Sequence, residues 1–176
     1  GMMKVAKRSL PILSLWIVHA AKSLSWGSST GITGVPSMPE EYPLSPMTEA
    51  DRKAVIDLFN YYIEHSFAAY PQEPVPYEFF RMFQDIMKDY PAIAARNRNG
   101  TLVGFALLHP HNPMPTFSHT AEVTYFLRPE CTGKGLGSRM LARLESEGRR
   151  MGITCLLASI SSLNEGSIRF HARHGF

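Results

Sequence analysis

The chain has 176 residues, 44% of them hydrophobic and 19% charged, with a net charge of +3. That length suits one domain with a sizeable core. Lys and Arg are scattered, so a pI near 9.0 is by itself weak evidence for nucleic acid, and none is expected as a partner; Cys131 and Cys155 have neither a metal-site spacing nor a disulfide framework.

Gly1 ahead of Met2-Met3 reads as a tag-cleavage scar. Lys4, Lys7 and Arg8 then precede an apolar run from Leu10 to Ala21. This resembles the first two regions of a signal peptide, but Pro11 and His19 interrupt the run, and it is too short to span a bilayer. An ordered apolar segment must be buried against something. Residues 25–46, rich in Ser, Gly and Pro, read as a linker, so residues 1–41 are expected to be an extension and 42–176 the domain.

Thr48-Glu49-Ala50-Asp51 has the form of a capping box with Asp in place of Glu or Gln. The stripe of Val55, Leu58, Phe59, Tyr62 and Ile63 predicts a helix behind it. After a break at Phe67-Ala68-Ala69-Tyr70-Pro71, the residues Phe79, Phe80, Phe83, Met87 and Tyr90 predict a second helix, its aromatics more suited to a core than to ligand contacts. Ala92 to Ala95 and Leu102 to Leu108 predict a hairpin around the Asn99-Gly100 turn. His109-Pro110-His111-Asn112-Pro113 has a metal-like look, but two prolines and no third ligand nearby make it a loop.

Glu122 to Leu127 reads as a strand, and Leu136, Met140, Leu141, Leu144 and Met151 mark a helix after it. Between them lies Thr132-Gly133-Lys134-Gly135-Leu136-Gly137-Ser138. A strand, three alternating glycines and a helix leave several backbone N–H groups pointing into one concavity. Such a nest holds phosphate with help from the helix dipole; a glycine-rich turn can also bind nothing. Two phosphate loops are excluded. Lys134 is followed by Gly135, so there is no G-x-x-x-x-G-K-[ST]. The next strand, Ile153 to Ile160, leads into Ser161-Ser162-Leu163-Asn164, without the acidic residue of a dinucleotide fold.

The glycine segment resembles the acetyl-CoA loop, Q/R-x-x-G-x-G/A, of the GCN5-related N-acetyltransferases, with Thr132 where Arg or Gln is usual. Further on, Asn164-Glu165-Gly166-Ser167-Ile168-Arg169-Phe170-His171-Ala172-Arg173-His174-Gly175-Phe176 resembles the N-x-x-S-x-x-x-[Y/H]-x-x-x-G-F segment of the same family. Within it, Thr120 to Leu127, Asn60-Tyr61-Tyr62 and Phe67 to Tyr70 look most like the phosphinothricin and methionine-sulfoximine acetyltransferase branch. The resemblance implies an α/β fold, a mixed central sheet flanked by helices. The opening strand is degraded by Pro43 and Ser45, and the chain stops at Phe176, lacking the last two strands of the family sheet.

The resemblance also implies acetyl-CoA as co-substrate, no metal, and direct transfer to the amine of a small amino acid or analogue. Its candidate CoA contacts are Tyr125, Phe126, Leu127, Thr132, Gly133, Lys134, Gly135, Leu136, Gly137, Ser138, Asn164 and Ser167. Glu122 is the implied base and an acceptor contact together with Phe67 and Tyr70, and backbone N–H groups near Phe126 and Leu127 are the implied oxyanion donors. His171 stands where many relatives carry a Tyr acid. His174 has no family role and is expected at the surface; Cys131 beside the loop is not needed as a nucleophile, and Cys155 is expected to be a small buried hydrophobe. A cytoplasmic location follows from the acetyl donor. Two other functions fit: a CoA-binding module without turnover, or an interaction protein using its apolar arm. That arm is expected to cover the exposed edge of the Ile153–Ile160 strand as a helix or an added strand, unless a second copy pairs there as a homodimer.

Overall fold

In the computed structural model, residues 17–24 and 42–176 are described. Six strands and four helices follow in the order β1 (Ile17–Ser23), β2 (Leu44–Pro46), α1 (Arg52–His65), α2 (Phe80–Met87), β3 (Ala92–Arg96), β4 (Leu102–Pro110), β5 (Thr120–Leu127), α3 (Leu136–Arg150), β6 (Cys155–Ser161) and α4 (Glu165–Arg173). The strands form one sheet in the order β1-β6-β5-β4-β3-β2. All neighbours are antiparallel except β5 and β6, whose parallel pairing is made possible by the crossover through α3.

β4 sits inside the sheet and is buried from Leu102 to Leu108. A strand covered on both faces has no polar side, so its sequence runs apolar throughout instead of alternating. Phe105 and Leu107 face a cluster with Val55, Ile56, Phe59 and Ile63 of α1 and Phe80 and Phe83 of α2. Ala106 and Leu108 face the opposite cluster, with Leu136, Met140, Leu141 and Leu144 of α3. The expected aromatic stripe is therefore core: Phe59 lies edge-on to Phe83 at 6.0 Å and to Phe126 at 5.3 Å.

Several expectations are sharpened or corrected. The degraded opening strand survives as three residues paired to β3. Met151, assigned to the α3 stripe, is 42% exposed, because the left-handed Gly152, φ +80°, ends the helix there. Cys155 is only half-buried. Of the apolar arm, residues 10–16 lie outside the described residues, as does the linker from 25 to 41. Its last part is an added strand: β1 pairs along the whole of β6, from Ile17 opposite Ser161 to Ser23 opposite Cys155. Leu24 is buried at the end of it, and the Lys22 ammonium lies 2.6 Å from Glu145 of α3. The edge on which a second copy was expected to pair is thus occupied by the chain itself. No described helix is long and apolar enough to cross a membrane.

Candidate active site

The site begins where two strands part. β5 and β6 pair only from Thr120 to Glu122 on the β5 side; beyond Glu122, β5 continues against β4 alone. The Arg128 N–H donates to Val103 O at 2.7 Å. Alternate residues of an antiparallel strand point the same way, so the N–H groups of Phe126 and Thr124 also turn toward β4. Those of Val123, Tyr125 and Leu127 turn toward the side β6 has left. In the expected donor region near Phe126 and Leu127, the amides of Leu127 and the neighbouring Tyr125 face the cleft side, and that of Phe126 turns to the β4 ladder. On the same side the Leu127 carbonyl accepts the Tyr62 hydroxyl at 2.5 Å.

The parting opens a cleft of about 350 Å³ between Val123–Phe126 of β5 and Ala158–Ser161 of β6. Met82, Phe83 and Ile86 of α2 and the loop from Ala68 to Pro71 form its apolar walls, and Glu122, Asn164, Ser167 and His171 add polar groups. Glu122 is the only carboxylate lining it among the described residues. One of its oxygens accepts from Ser159 Oγ at 3.2 Å and the other lies 2.8 Å from His111 Nδ1. Tyr70, an expected acceptor contact, lines the mouth, and its hydroxyl reaches across to Ser159 O at 2.9 Å. Burial, and then the charge of Glu122, raise its pKa. Phe67 is 47% exposed and does not line the cleft. The hinge at Ser66, whose N–H and hydroxyl both bind Tyr62 O, turns the chain so that Ala68 and Ala69 face inward instead.

At the far wall, His171 is 4% exposed. Its Nδ1 lies 2.7 Å from Ser167 O. A carbonyl only accepts, so Nδ1 carries the hydrogen and Nε2 is left to accept the Tyr125 hydroxyl. Burial lowers the His171 pKa and raises that of Tyr125 well above the usual range, so the pair is neutral. The hydrogen that His171 was expected to offer is committed to Ser167. What it holds in the cleft is the Tyr125 phenol, the residue whose partner the sequence did not reveal. His174 is not a free surface group either: its Nε2 meets Ser138 Oγ at 2.9 Å, tying α4 to the first turn of α3.

The glycine segment folds as a nest. Gly133 and Gly135 have φ of +74° and +78°, and a β-carbon at either would meet no protein atom within 4 Å. Glycine is thus demanded by the left-handed backbone, and the side it leaves bare faces open space. α3 starts at Gly135 without a side-chain cap, so its first N–H groups are available to an anion. This fits the pyrophosphate of a CoA ester. Thr132, in place of Arg or Gln, turns its hydroxyl back to Pro129 O at 2.7 Å. Asn164 Oδ1 caps α4 through Ser167 N–H at 3.1 Å, and Cys131 is 4% exposed behind the loop. No group of three or more potential metal ligands occurs among the described residues.

The profile of the Acetyltransferase (GNAT) family matches residues 55–176. An L-methionine sulfoximine/L-methionine sulfone acetyltransferase of Salmonella typhimurium is 30% identical over 130 residues, covering 73% of this chain and 75% of that protein. A phosphinothricin N-acetyltransferase of Streptomyces viridochromogenes is 30% identical over 141 residues, covering 78% and 76%. Among solved structures, yncA from Salmonella typhimurium with its cofactor acetyl-CoA superposes with a TM-score of 0.71 at 28% identity, covering 77% of this chain and 79% of that one. A nest at the start of α3, a cleft between parted parallel strands and these likenesses converge: the chain belongs to the GNAT acetyltransferase family.

Proposed function

We propose that the protein transfers the acetyl group of acetyl-CoA directly to the amine of a small amino acid or analogue, of the phosphinothricin or methionine-sulfoximine type. The observation that carries this reading is Glu122, a carboxylate held from two sides, at the point where β5 and β6 separate. The named relatives support the acceptor class. Residues 42–176 are the catalytic domain in this reading, and 1–41 an extension whose residues 17–23 lengthen the sheet. A cytoplasmic location is the one acetyl-CoA favours.

Acetyl-CoA supplies a thioester whose carbonyl carbon accepts the amine. Gly133 to Gly137 and Ser138 hold its pyrophosphate, and the parted edge of β5, with Asn164 and Ser167, lines the way to the reacting centre. Glu122 takes one proton from the ammonium form of the acceptor, freeing the nitrogen lone pair. The N–H groups of Tyr125 and Leu127 stabilise negative charge on the carbonyl oxygen. As the C–N bond forms and the C–S bond breaks, the nitrogen sheds its second proton and the departing thiolate gains one. His171 orients Tyr125, its Nε2 accepting the one phenol hydrogen, so the proton that the thiolate gains is the second proton shed by the nitrogen. Ala68, Ala69, Met82 and Ile86 accommodate the apolar part of the acceptor.

Thiol release from acetyl-CoA over a panel of amino acids, phosphinothricin and methionine sulfoximine tests the proposal. Turnover is expected with at least one member. Tight acetyl-CoA binding without release across the panel would favour the module without turnover. No binding would favour the interaction protein. Sedimentation would tell whether the chain pairs with a second copy, for which the β6 edge is already taken.

A further inference from the structure

The stretch from His109 to Pro113 ends β4 at Pro110 and runs on as a loop with no part in the transfer chemistry above, yet the loop sends one side chain into contact with the base. His111 Nδ1 lies 2.8 Å from Glu122 Oε1. The ionised carboxylate can only accept, so neutral His111 carries its hydrogen on Nδ1 and donates it. Ser159 Oγ donates to the other oxygen at 3.2 Å. Glu122 is thus gripped on both oxygens, from the loop by an imidazole and from β6 by a hydroxyl. The side chain of His111 is 33% exposed and that of Glu122 20%, so the imidazole stands on the solvent side of the carboxylate. The ring of Phe117 packs edge-on against His111 at 5.7 Å and holds it there.

We infer that His111 is a positioning residue for the transfer reaction, fixing the Glu122 carboxylate through Nδ1–H and permitting it to accept a proton only while the imidazole is neutral. The inference rests on the assignment of Glu122 as the base. The physics is a matter of charge. With His111 neutral, Glu122 keeps one oriented negative charge to attract an ammonium and take its proton. Once His111 is protonated, the same contact becomes an ion pair. The cation then competes with the incoming ammonium for the carboxylate and repels it.

Tyr70, Tyr125, His109 and His171 also line the cleft, and their hydrogen bonds run to groups other than Glu122. Tyr70, near Glu122, has its pKa raised and stays neutral. His109, opposite Glu122 in the β4–β5 register, turns Nδ1 to Pro110 O and Nε2 to the Thr124 hydroxyl, each at 3.3 Å. Its contacts are therefore to uncharged groups, one residue pair farther along β5.

The test is the pH dependence of kcat/KM for the acceptor, measured from pH 5 to 9 on the full chain and two variants. His111→Gln can keep an N–H donor toward Glu122 but cannot become a cation; His111→Phe keeps the ring against Phe117 and loses the donor. The wild type is expected to lose activity toward acid pH with one protonation event beyond any due to the amine or Glu122. That additional slope should vanish in His111→Gln, while the rate above neutral pH stays near that of the wild type. His111→Phe should be about tenfold slower than the wild type above neutral pH and should likewise lack the additional slope, with unchanged acetyl-CoA affinity. The inference is overturned if the Gln variant falls with pH as the wild type does, if the wild type shows no such limb, or if the Phe variant matches the wild type. An absence of thiol release from the wild type overturns the acetyl-transfer reading itself, and the inference with it.

Discussion

Two helix starts in this molecule meet the same need in opposite ways. At the turn leading into α1, the Asp51 carboxylate accepts from the Thr48 N–H at 2.9 Å and from its hydroxyl at 3.3 Å, and pairs with Arg96 Nη2 at 2.6 Å. Asp51 is 4% exposed, so every bond that balances its charge lies within the chain. At the start of α3 the cap is Gly135, with no side chain to bond to the first amides and no acidic residue in the first turn. The first terminus is satisfied by its own residues; the second is left for a ligand to satisfy. In the proposed reading the helix start without a cap, next to two left-handed glycines, is the functional one, and the self-capped one is structural.

The sharpest way to break that contrast is to put an acid where the ligand's anion belongs. Gly135→Glu adds both a left-handed strain and a like charge to the nest. Acetyl-CoA affinity measured by calorimetry should fall roughly 10³-fold or more, about 4 kcal/mol. Gly135→Ala separates the two effects, since strain alone costs about 1–2 kcal/mol. An unchanged affinity in Gly135→Glu would remove the nest from the site.

Glu122→Gln tests the chemistry independently of that terminus. Turnover should drop about 10²–10⁴-fold with acetyl-CoA affinity unaltered. The deficit should narrow at high pH, where the acceptor amine is already free of its proton. A variant with wild-type rates at neutral pH would reject Glu122 as base.

The matching test at the self-capped terminus is Asp51→Ala. It strands the Arg96 guanidinium, whose side chain is 28% exposed, and frees the Thr48 amide. Thermal and denaturant unfolding should show a loss of about 2–4 kcal/mol, while the acetyl-CoA affinity of the folded fraction is unchanged. A loss of affinity as large as that in Gly135→Glu would erase the distinction between the two starts.

The same contrast explains what the sequence could and could not disclose. The nest, the capping box and the helix stripes are local: each is written in residues a few positions apart, and each is present. The cleft is not local. It exists because β5 and β6 stop pairing after Glu122, and no residue in either strand announces that divergence. Which backbone N–H groups near Phe126 and Leu127 face it depends on the register with β4, which turns those of Tyr125 and Leu127 to the cleft side. The partners of His171 and Glu122 are likewise distant in sequence, at Tyr125 and at His111 and Ser159. His111 lay in a loop whose two histidines suggested a metal, when one of them was addressed to a carboxylate. The arm is foreseen on the β6 edge as either a helix or an added strand, and its pairing as the strand β1 is set by the edge it meets.

The smallest expected effect concerns the one charge inside the nest. Lys134 lies between the two left-handed glycines, where a phosphate-binding lysine would be assumed to matter. Its ammonium, however, sits over the ring of Tyr42, 6.0 Å from the centroid, and 3.5 Å from the phenol oxygen. It is a point charge on a flexible stem, and exposed pairs of this kind contribute about 0.2–1 kcal/mol. Lys134→Ala should therefore weaken acetyl-CoA only about two- to threefold, and the difference should shrink further as salt is raised. The backbone amides proposed to carry most of the binding are untouched by the substitution. A loss of a hundredfold, abolished by salt, would mean that the side chain and not the open helix start holds the pyrophosphate, and the contrast between the two termini would then rest on a lysine.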